Sequence, residues 1–448
     1  MIHLILLSGG SGSRLWPLSN NSRSKQFLKV LRDDNGKHVS MVQRVFAQIA
    51  SVDAEVDITI ATCENQCNSI ESQVKGNYSL VLEPERRDTA PAIMLSCAHL
   101  LLEQKANEND TVIVMPIDTY ADQDYYNSIS VLDQAVQEEN SELVLLGVEP
   151  TYPSEKYGYI IPQSRNGAVW PVSTFKEKPT VDAAIAFIDE GGLWNCGVFA
   201  FKLSFVSSLT RNYVEASSFG DYVTRYCELP KNSFDYEVVE KAKSVCVVPY
   251  SGEWKDLGTW NTLTEEMCDC YSGRVVADDS SCENVHVVNE LGFPLVVAGL
   301  RNAVVVATPD GILVCGKKES AAIKDLVSEA AETRPMYEQR RWGEYRVLDS
   351  SIYPDEKKSL TKELVVEPGK QLSYQMHNRR SEVWTVVSGC GRVVLDGIET
   401  NIQPGSVVDV PSGVKHAIIA TTQVHIIEVQ LGDILVEEDI QRYGNFWN

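Results

Sequence analysis

The feature that most constrains the fold of this chain is a change of hydrophobic pattern near residue 265. Before it, buried apolar runs such as Ile2–Leu7 and Thr111–Pro116 alternate with segments of helical periodicity such as Ala90–Leu102. Strands that alternate with helices predict a mostly parallel sheet with helices on both faces. We therefore expect residues 1–265 to form one α/β domain.

The rest of the chain has the pattern of β structure. Residues 271–325 contain short apolar runs at intervals of roughly ten residues, a spacing typical of a β-solenoid or a small sheet. Farther on, turn signals such as Pro368-Gly369 and Ser412-Gly413 recur at the spacing of a jelly-roll barrel. The sequence thus predicts a solenoid-like linker over residues 266–334 and a jelly-roll barrel over residues 335–448.

Composition excludes several classes of function. The formal net charge of −22 argues against a general nucleic-acid binder, because phosphate backbones need a basic surface. The 11 cysteines lack the spacing of a zinc site, so we expect reduced thiols. The first apolar run is too short for a signal peptide, and no stretch approaches the ~20 apolar residues of a membrane span. We expect a cytoplasmic protein with neither a nucleic-acid polymer nor a membrane as partner.

The amino-terminal segment MIHLILLSGGSGSRLWPLSNNSRSKQF joins a buried strand to a glycine-rich loop. Glycines let backbone N–H groups approach a phosphate closely, although the spacing fits neither a Walker loop nor a dinucleotide fingerprint. Arg14 and Lys25 follow, and two such cations can stabilise the charge that develops when a triphosphate loses pyrophosphate. For the loop alone, a surface turn with solvated charges is the alternative interpretation.

The segment SGGSGSRLWPLSNNSRSKQFL resembles the signature of sugar-1-phosphate nucleotidyltransferases, specifically the mannose-1-phosphate guanylyltransferase branch. The resemblance continues along the first domain in LEPERRDTAPAI (82–93), MPIDTY (115–120), EPTYPSEKYGYI (149–160), FKEKP (175–179), WNCGVFAF (194–201) and WKDLGTW (254–260). The chain departs from the family where Ser24 replaces a proline, Asp88 an asparagine and Thr119 a histidine. The resemblance implies a Rossmann-like nucleotidyltransferase domain that makes GDP-mannose from GTP, or another NTP, and a sugar 1-phosphate, for polysaccharide biosynthesis.

The same resemblance assigns roles to individual residues. The catalytic cations are Arg14 and Lys25. The residues implied to bind the nucleotide are Ser8, Gly9, Gly10, Gly12, Ser13, Glu83, Arg87 and Asp88. Those implied to bind the sugar phosphate are Gly158, Glu177, Lys178 and Asn195. Asp118 and Asp256 are implied to hold Mg²⁺, which accepts two carboxylates while keeping waters and phosphate oxygens.

The carboxy-terminal region resembles the cupin family. The arrangement Gly369-x5-Gln375-x-His377-x4-Glu382-x6-Gly389, followed by Gly405-x5-Pro411-x-Gly413-x2-His416, is similar to the two cupin motifs. The resemblance implies four metal ligands, which are Gln375, His377, Glu382 and His416. A mixed nitrogen and oxygen set suits Zn²⁺, Mn²⁺, Fe²⁺ or Co²⁺. A cupin barrel without metal is the alternative.

The order of nucleotidyltransferase, β-solenoid linker and cupin resembles the bifunctional type II mannose-6-phosphate isomerase/mannose-1-phosphate guanylyltransferases. Arg380 keeps an arginine of that family, but three of its histidines are replaced, by Asn378, Arg379 and Val383. Because histidines often transfer protons, isomerase activity stays open. We expect a homodimer, because β-rich linkers and cupins often pair.

Two other functions remain possible on this sequence. The first is the same chemistry on another hexose or heptose 1-phosphate or another NTP, with a non-catalytic cupin; the changes at Asp88 and Thr119 motivate it. The second is a sugar-nucleotide-binding regulator with a degraded active site. The intact set of Arg14, Lys25 and Asp118 argues against the regulator.

Overall fold

The computed structural model of the chain describes residues 1–10, 13–20, 23–33, 35–138, 141–330 and 336–447, without the side chains of Ser13 and Ala330. The chain divides into two compact units. The first comprises Met1–Ser11, Lys25–Gly258 and Glu265–Cys268, and the second comprises Gly12–Ser24, Thr259–Thr264 and Asp269–Asn448. The division into three parts near residues 265 and 335 stays a prediction.

The first unit alternates strands and helices. Its strands are β1 Ile2–Leu7, β2 Leu31–Arg32, β3 His38–Val39, β4 Val56–Cys63, β5 Ser79–Glu83, β6 Thr111–Pro116, β7 Thr119–Ala121, β8 Leu143–Val148, β9 Gly158–Pro162, β10 Trp170–Lys176, β11 Leu193–Lys202, β12 Val245–Tyr250 and β13 Trp254–Asp256. Its helices are α1 Met41–Ile49, α2 Glu64–Gln73, α3 Thr89–Leu102, α4 Gln123–Glu138, α5 Val181–Asp189, α6 Leu203–Thr210, α7 Phe219–Thr224 and α8 Phe234–Glu237, with 3-10 turns at Lys25–Phe27, Tyr226–Glu228 and Val239–Lys241.

Nine of these strands form one mixed sheet in the order β5-β4-β1-β6-β11-β8-β12-β10-β9. Strand β1 runs parallel to both β4 and β6, so that Leu4 lies beside Ile58 and Ile113. Strand β11 enters antiparallel between β6 and β8. Because the carboxyl ends of β4, β1 and β6 meet at one edge, the loops that follow them share a single crevice. The predicted α/β domain is confirmed, and its sheet combines parallel with antiparallel strand pairs.

Helix α3 fixes one wall of that crevice. Its sequence, TAPAIMLSCAHLLL, is apolar on nearly every side, and accordingly most of the helix is buried. A helix that is apolar all round packs in the core, because burying each large side chain stabilises the fold by about 1.5–3 kcal/mol. Asp88 caps its first turn with a left-handed φ of 74°, and the Asp88 carboxylate accepts a hydrogen bond from the Thr89 N–H.

The second unit is almost entirely β structure. Its strands are β14 Tyr271–Gly273, β15 Val275–Ala277, β16 His286–Asn289, β17 Leu295–Val297, β18 Ala303–Thr308, β19 Gly311–Gly316, β20 Tyr337–Arg340, β21 Gly343–Ile352, β22 Lys358–Val366, β23 Gln375–His377, β24 Arg380–Ser388, β25 Gly391–Leu395, β26 Ile398–Ile402, β27 Val407–Val410, β28 His416–Ala420, β29 Val424–Gly432 and β30 Ile440–Arg442. Its helices are α9 Trp260–Glu266, whose last two residues belong to the first unit, and α10 Lys324–Ala330, with 3-10 turns at Ser13–Leu15, Glu319–Ala322 and Glu437–Asp439.

Two sheets of the second unit face each other across an apolar core. The six-stranded sheet has the order β20-β21-β22-β29-β24-β27, and the five-stranded sheet has the order β26-β25-β28-β23-β30. Core residues come from both sheets, among them Leu364, Trp384 and Ile426 from the first and Val393 and Ile418 from the second. This arrangement is the jelly-roll barrel that the turn signals predict.

The β-solenoid stays a prediction. Between the two larger regions, β14, β16 and β18 run parallel in one small sheet, and β15 and β17 run parallel in another. Parallel strands at short intervals agree with solenoid coils, but β18 pairs antiparallel with β19. In the described part of the chain, no helix combines the length and the apolar composition needed to cross a bilayer.

A pH-dependent stability is expected from His286 on β16. The ring is buried, and its Nδ1 has no hydrogen-bond partner among the described residues. Burial, together with the charge of Lys317, lowers the pKa of His286 from 6.5 to about 4. Folding therefore favours the neutral ring, so that its stabilisation is complete above pH 6.5 and is lost as the pH falls towards 4.

We expect the chain to lose more stability on acidification than its H286Q variant. Between about pH 7.5 and about pH 5, the additional loss in unfolding free energy is on the order of 1 kcal/mol, after allowance for solvent screening. Urea unfolding of both proteins at the two pH values measures it. An equal loss in the two proteins would contradict the assignment, because all other titrating groups are common to both.

Candidate functional site

A cavity of about 420 Å³ opens in the first unit where β1, β4 and β6 end. It is lined by the loop after β1, by the start of α2, by the start of α3 and by β11. The lining residues are Leu7, Ser8, Gly9, Gly10, Ala61, Cys63, Gln66, Glu83, Arg86, Asp88, Thr89, Ala92, Pro116, Asp118, Gly197, Phe199 and Asp235. The cavity thus lies at the crevice where open α/β sheets bind their ligands.

Two buried glutamines hold the loop after β1. Gln26 donates through Nε2 to Ser8 Oγ at 3.1 Å and to Gln66 Oε1 at 3.2 Å. Gln66 in turn donates to the Gly10 carbonyl at 3.3 Å. Gly10 has a φ of 93°, and a Cβ at Gly9 or Gly10 would meet no atom within 4 Å. The loop is therefore fixed on one side by side chains, and the space beside Gly9 and Gly10 is open, as a phosphate-binding loop requires.

Most of the residues predicted to bind the nucleotide line this cavity. Ser8, Gly9, Gly10, Glu83 and Asp88 all do so. Burial raises the pKa of Glu83, whose carboxylate accepts a hydrogen bond from Tyr226 Oη at 2.9 Å.

The other three residues predicted to bind the nucleotide are Gly12, Ser13 and Arg87. Gly12 and the side chain of Ser13 lie outside the described residues. Arg87 pairs with Glu85 at 2.7 Å and donates to the Leu229 carbonyl, whereas its neighbour Arg86 lines the cavity.

Lys25 joins two carboxylates in the first unit. Its Nζ lies 2.8 Å from Asp118 Oδ2 and 3.0 Å from Asp256 Oδ1. Asp118 follows β6, and Asp256 reaches it because β13 pairs with β7, placing Asp256 beside Thr119. Burial acts to lower the pKa of Lys25, but the two carboxylates outweigh it and raise the pKa.

The same two carboxylates fit a magnesium ion. A Cβ at Gly258 would lie 2.9 Å from Asp256 Oδ1, so the glycine keeps space open around that carboxylate. Two carboxylates that converge on one point are the protein ligands that Mg²⁺ accepts beside phosphate oxygens. Arg14, the other predicted catalytic cation, is exposed on the 3-10 turn Ser13–Leu15 of the second unit, and its role stays a prediction.

The residues predicted to bind the sugar phosphate also meet. Gly158 on β9 lies beside Asn195 on β11, and a Cβ at Gly158 would be 2.5 Å from Glu177 Oε2. Glu177 Oε2 is buried without a hydrogen-bond partner among the described residues. Lys178 has a left-handed φ of 44°, and its Nζ lies 2.8 Å from Glu177 Oε1. An unsatisfied buried acceptor beside a half-exposed cation is suited to a hydroxyl and a phosphate of one ligand.

The structure adds Asp235, a residue that the sequence analysis missed. It lies in α8 and lines the cavity, and Asn195 donates to its Oδ1 at 2.6 Å. Burial and the charge of Glu177 raise the pKa of Asp235 to about 6. Its only sequence signal is the pattern Ser-Phe-Asp-Tyr at residues 233–236, in which Ser233 caps the helix.

The barrel of the second unit holds a separate cluster, formed by His377, Glu382 and His416. One donor atom from each lies within 4.8 Å of the others, and all three side chains are buried. His377 Nε2 is 3.1 Å and His416 Nε2 is 3.7 Å from the Glu382 carboxylate. Burial acts to raise the pKa of Glu382, but His377, His416 and Arg380 outweigh it, and the pKa is lowered. We call these three residues the metal triad.

The metal triad fits a divalent transition-metal ion. Two imidazoles and a carboxylate are the donor set that such ions accept, and His416 Nε2 has no hydrogen-bond partner among the described residues. Gln375, the fourth predicted ligand, lies beside His416 across the sheet, and its Oε1 accepts a hydrogen bond from Ser373 Oγ at 2.9 Å. Arg380, the predicted isomerase residue, donates to Glu382 Oε1 at 3.0 Å.

Comparison with protein families identifies both domains. The nucleotidyl transferase family matches residues 3–272, and the mannose-6-phosphate isomerase C-terminal domain matches residues 328–445. The predicted combination of a nucleotidyltransferase domain and a cupin-like isomerase domain is thereby confirmed.

Individual relatives extend over nearly the whole chain. The alginate biosynthesis protein AlgA of Pseudomonas fluorescens is 32% identical, with 99% of this chain and 96% of the relative covered. The mannose-1-phosphate guanylyltransferase of Escherichia coli is 30% identical, with 99% and 98% covered. A crystal structure described as mannose-1-phosphate geranyltransferase from Thermus thermophilus is 29% identical, has a TM-score of 0.60, and covers 73% of this chain and 98% of its own.

We expect the metal triad to determine the transition-metal content of the protein. Replacing His416 by alanine removes one of two buried imidazoles and weakens metal binding at least about tenfold. Full-length protein loaded with Mn²⁺ or Zn²⁺ and desalted would lose most of its metal in H416A, as measured by plasma mass spectrometry. The matched control is H425A, since His425 lies on β29 of the same barrel and outside the metal triad. Equal metal content in the two variants would reject the site.

Proposed function

Because the chain belongs to the nucleotidyl transferase family, we propose that it is a mannose-1-phosphate guanylyltransferase, which forms GDP-mannose and pyrophosphate from GTP and mannose 1-phosphate. The observation that carries the proposal is the convergence of Lys25, Asp118 and Asp256, with Asp118 also lining the cavity beside the glycine loop. Relatives named for alginate and xanthan biosynthesis support a role in polysaccharide precursor supply.

The reaction requires no covalent bond to the protein. A phosphate oxygen of the sugar 1-phosphate attacks the α-phosphorus in line, and the bond to the bridging oxygen of the β-phosphate breaks as pyrophosphate leaves. Catalysis then rests on positioning and on neutralising the charge that develops on the leaving group. Lys25 provides a largely buried cation, and Gly9 and Gly10 line the cavity, where phosphates can approach the backbone closely.

Asp118 and Asp256 are the residues that would hold Mg²⁺. When bound, this ion would supply positive charge that stabilises the reacting phosphates. Lys25, which contacts both carboxylates, keeps them together and remains a cation for the nucleotide.

The sugar pocket orients the acceptor. Glu177 offers a buried acceptor oxygen and Asp235 a half-buried one for sugar hydroxyls, and Asn195 is fixed between Asp235 and the Gly197 N–H. The Lys178 ammonium lies at the half-exposed edge of the pocket, where it can neutralise the sugar phosphate. A fixed pyranose places its phosphate for in-line attack, which accounts for a large part of the rate enhancement in such reactions.

A substrate panel separates this function from the alternatives. We expect pyrophosphate release to be fastest with GTP and mannose 1-phosphate in the presence of Mg²⁺. Faster release with another NTP or another sugar 1-phosphate would change the substrates and keep the chemistry. No release with any pair would favour the sugar-nucleotide-binding regulator.

For the second unit we propose a metal-dependent mannose-6-phosphate isomerase. The buried metal triad and the adjacent Arg380 favour this activity over a purely structural barrel. A bound metal would polarise the open-chain carbonyl while a base moves a proton between C2 and C1. A coupled assay starting from mannose 6-phosphate, with and without added Mn²⁺ or Zn²⁺, tests it.

We further propose that the enzyme works in the cytoplasm as a homodimer. All 11 cysteines are free thiols, which agrees with a reducing compartment. Cupin barrels and β-rich linkers often pair with a second copy, and sedimentation equilibrium would measure the mass.

Replacing Lys25 by methionine should abolish most of the transferase activity. The variant keeps the length of the side chain and loses the charge, and the expected decrease in kcat/KM for GTP is at least about 100-fold. Pyrophosphate release under saturating mannose 1-phosphate measures it. The control is Lys29→Met, four residues along and exposed. Similar turnover in both variants would overturn the catalytic role of Lys25.

Replacing Gly158 by alanine should weaken the binding of mannose 1-phosphate without changing the binding of GTP. The new methyl group would lie 2.5 Å from Glu177 Oε2 and 3.0 Å from the Phe175 ring, so Glu177 must move. We expect the KM for mannose 1-phosphate to rise roughly tenfold or more, because about one charged hydrogen bond to the sugar is lost. The KM for GTP should not change. Gly220→Ala is the control, because a Cβ there meets no atom within 4 Å. A parallel rise in both KM values would contradict the separate sugar pocket.

A further inference from the structure

The second unit contains a concentration of charge around one carboxylate outside the metal triad. Lys362 Nζ lies 3.4 Å from Glu437 Oε1, and Nη2 of Arg340 and of Arg442 each lie 4.0 Å from Glu437 Oε2. Three cations therefore converge on a single carboxylate. We call Arg340, Lys362, Arg442 and Glu437 the cationic cluster.

The cationic cluster has more donors than Glu437 satisfies. The Lys362 side chain is only 5% exposed. Besides Glu437, it has as neighbours the face of Tyr345, 4.6 Å from Nζ, and the buried carboxyl of Glu428, which lies beside it across the sheet. Distances of 3.4 and 4.0 Å exceed the ~2.7–2.9 Å of a charge-assisted hydrogen bond. Arg340 donates a hydrogen bond from Nη2 to the Glu338 carboxylate at 2.6 Å. Glu437 and Glu428 thus balance the charge of Lys362, while the long contact from Glu437 leaves room for a closer acceptor at Nζ.

Glu437 also lies where its carboxylate can rotate away from the three cations. It begins the 3-10 turn Glu437–Asp439, none of whose residues is buried. Its side chain is 37% exposed, in contrast to the 5% of Lys362. The carboxylate can therefore rotate towards solvent and leave the cations in place.

Arg380 connects the cationic cluster to the metal triad. Its Nε donates to Glu382 Oε1 at 3.0 Å, and its Nη1 donates to the carbonyl of Val436 at 2.9 Å. Val436 directly precedes Glu437 in the chain. One guanidinium thus spans from a triad ligand to the segment that carries the carboxylate. A single small ligand could therefore reach from the cationic cluster to the metal triad.

We propose that the cationic cluster binds the phosphate of a phosphorylated sugar, whose carbonyl end meets the metal triad, and that Glu437 occupies the phosphate position until the substrate displaces it. The three oxygens of a phosphate can accept hydrogen bonds from Lys362, Arg340 and Arg442 together, which one carboxylate cannot do. The inference rests on the isomerase proposed above and identifies how its substrate is held.

Opposite substitutions on the cationic cluster should change affinity in opposite directions. Calorimetric titration of the full-length protein with mannose 6-phosphate should show binding weakened at least about tenfold by K362M and by R442Q, each of which removes a charged donor. E437Q should tighten binding by about threefold or more, because it removes the competing negative charge. A residue with a merely structural role would not give a gain. Arg442 is 52% exposed, so R442Q tests the site even if the buried K362M variant fails to fold.

The controls separate this site from others in the chain. Lys370→Met removes an exposed lysine of the same barrel and should leave the affinity unchanged. Unphosphorylated mannose should not distinguish any of the variants. Equal affinity in all variants would overturn the inference, as would inorganic phosphate that binds as tightly as mannose 6-phosphate. If these binding differences are present but no variant or condition gives isomerase turnover, the isomerase is rejected and the phosphate site stands.

Discussion

A buried ammonium ion needs carboxylates beside it, and this requirement organises the first unit. Lys25 is 13% exposed and has two partners, Asp118 at 2.8 Å and Asp256 at 3.0 Å. An isolated charge at this depth would cost several kcal/mol, so the three groups are stable only together. The two ion pairs of Lys25 therefore hold together the end of the loop after β1, the end of β6 and strand β13. A site for a metal and a triphosphate follows from the same geometry.

The barrel of the second unit solves a comparable problem with more groups. Glu382 is almost fully buried and is compensated by His377, His416 and Arg380. Trp384 and Gln430 also donate to its carboxylate oxygens. Several hydrogen bonds to one buried carboxylate fix side-chain positions that an apolar core would leave free. The apolar layer between the two sheets supplies the stability, and the network supplies the chemistry.

The sequence predicted well whatever depends on local pattern. Strand β1 and helix α3 follow from continuous apolar runs, and Lys25, Asp118 and Glu177 follow from motif resemblance. Contacts between distant residues were not accessible. Gln26 donates both to Ser8 and to Gln66, which lies 40 residues farther along the chain. Such a pairing has no periodicity that a single sequence reveals. Asp235 lies in a helix of only four residues, too short for a helical pattern.

For the replaced histidines of the barrel, the sequence alone suggests a larger functional loss than the structure does. On the sequence alone, Asn378, Arg379 and Val383 count equally as lost functional groups. In the structure Asn378 and Arg379 are exposed, and their backbone N–H groups donate to the Asp439 carboxylate. Their substitution therefore changes the surface of the turn and leaves the buried metal triad intact. Since metal binding depends on donors that converge in the interior, the chemistry of the barrel depends on the metal triad and on what its surrounding cations can hold.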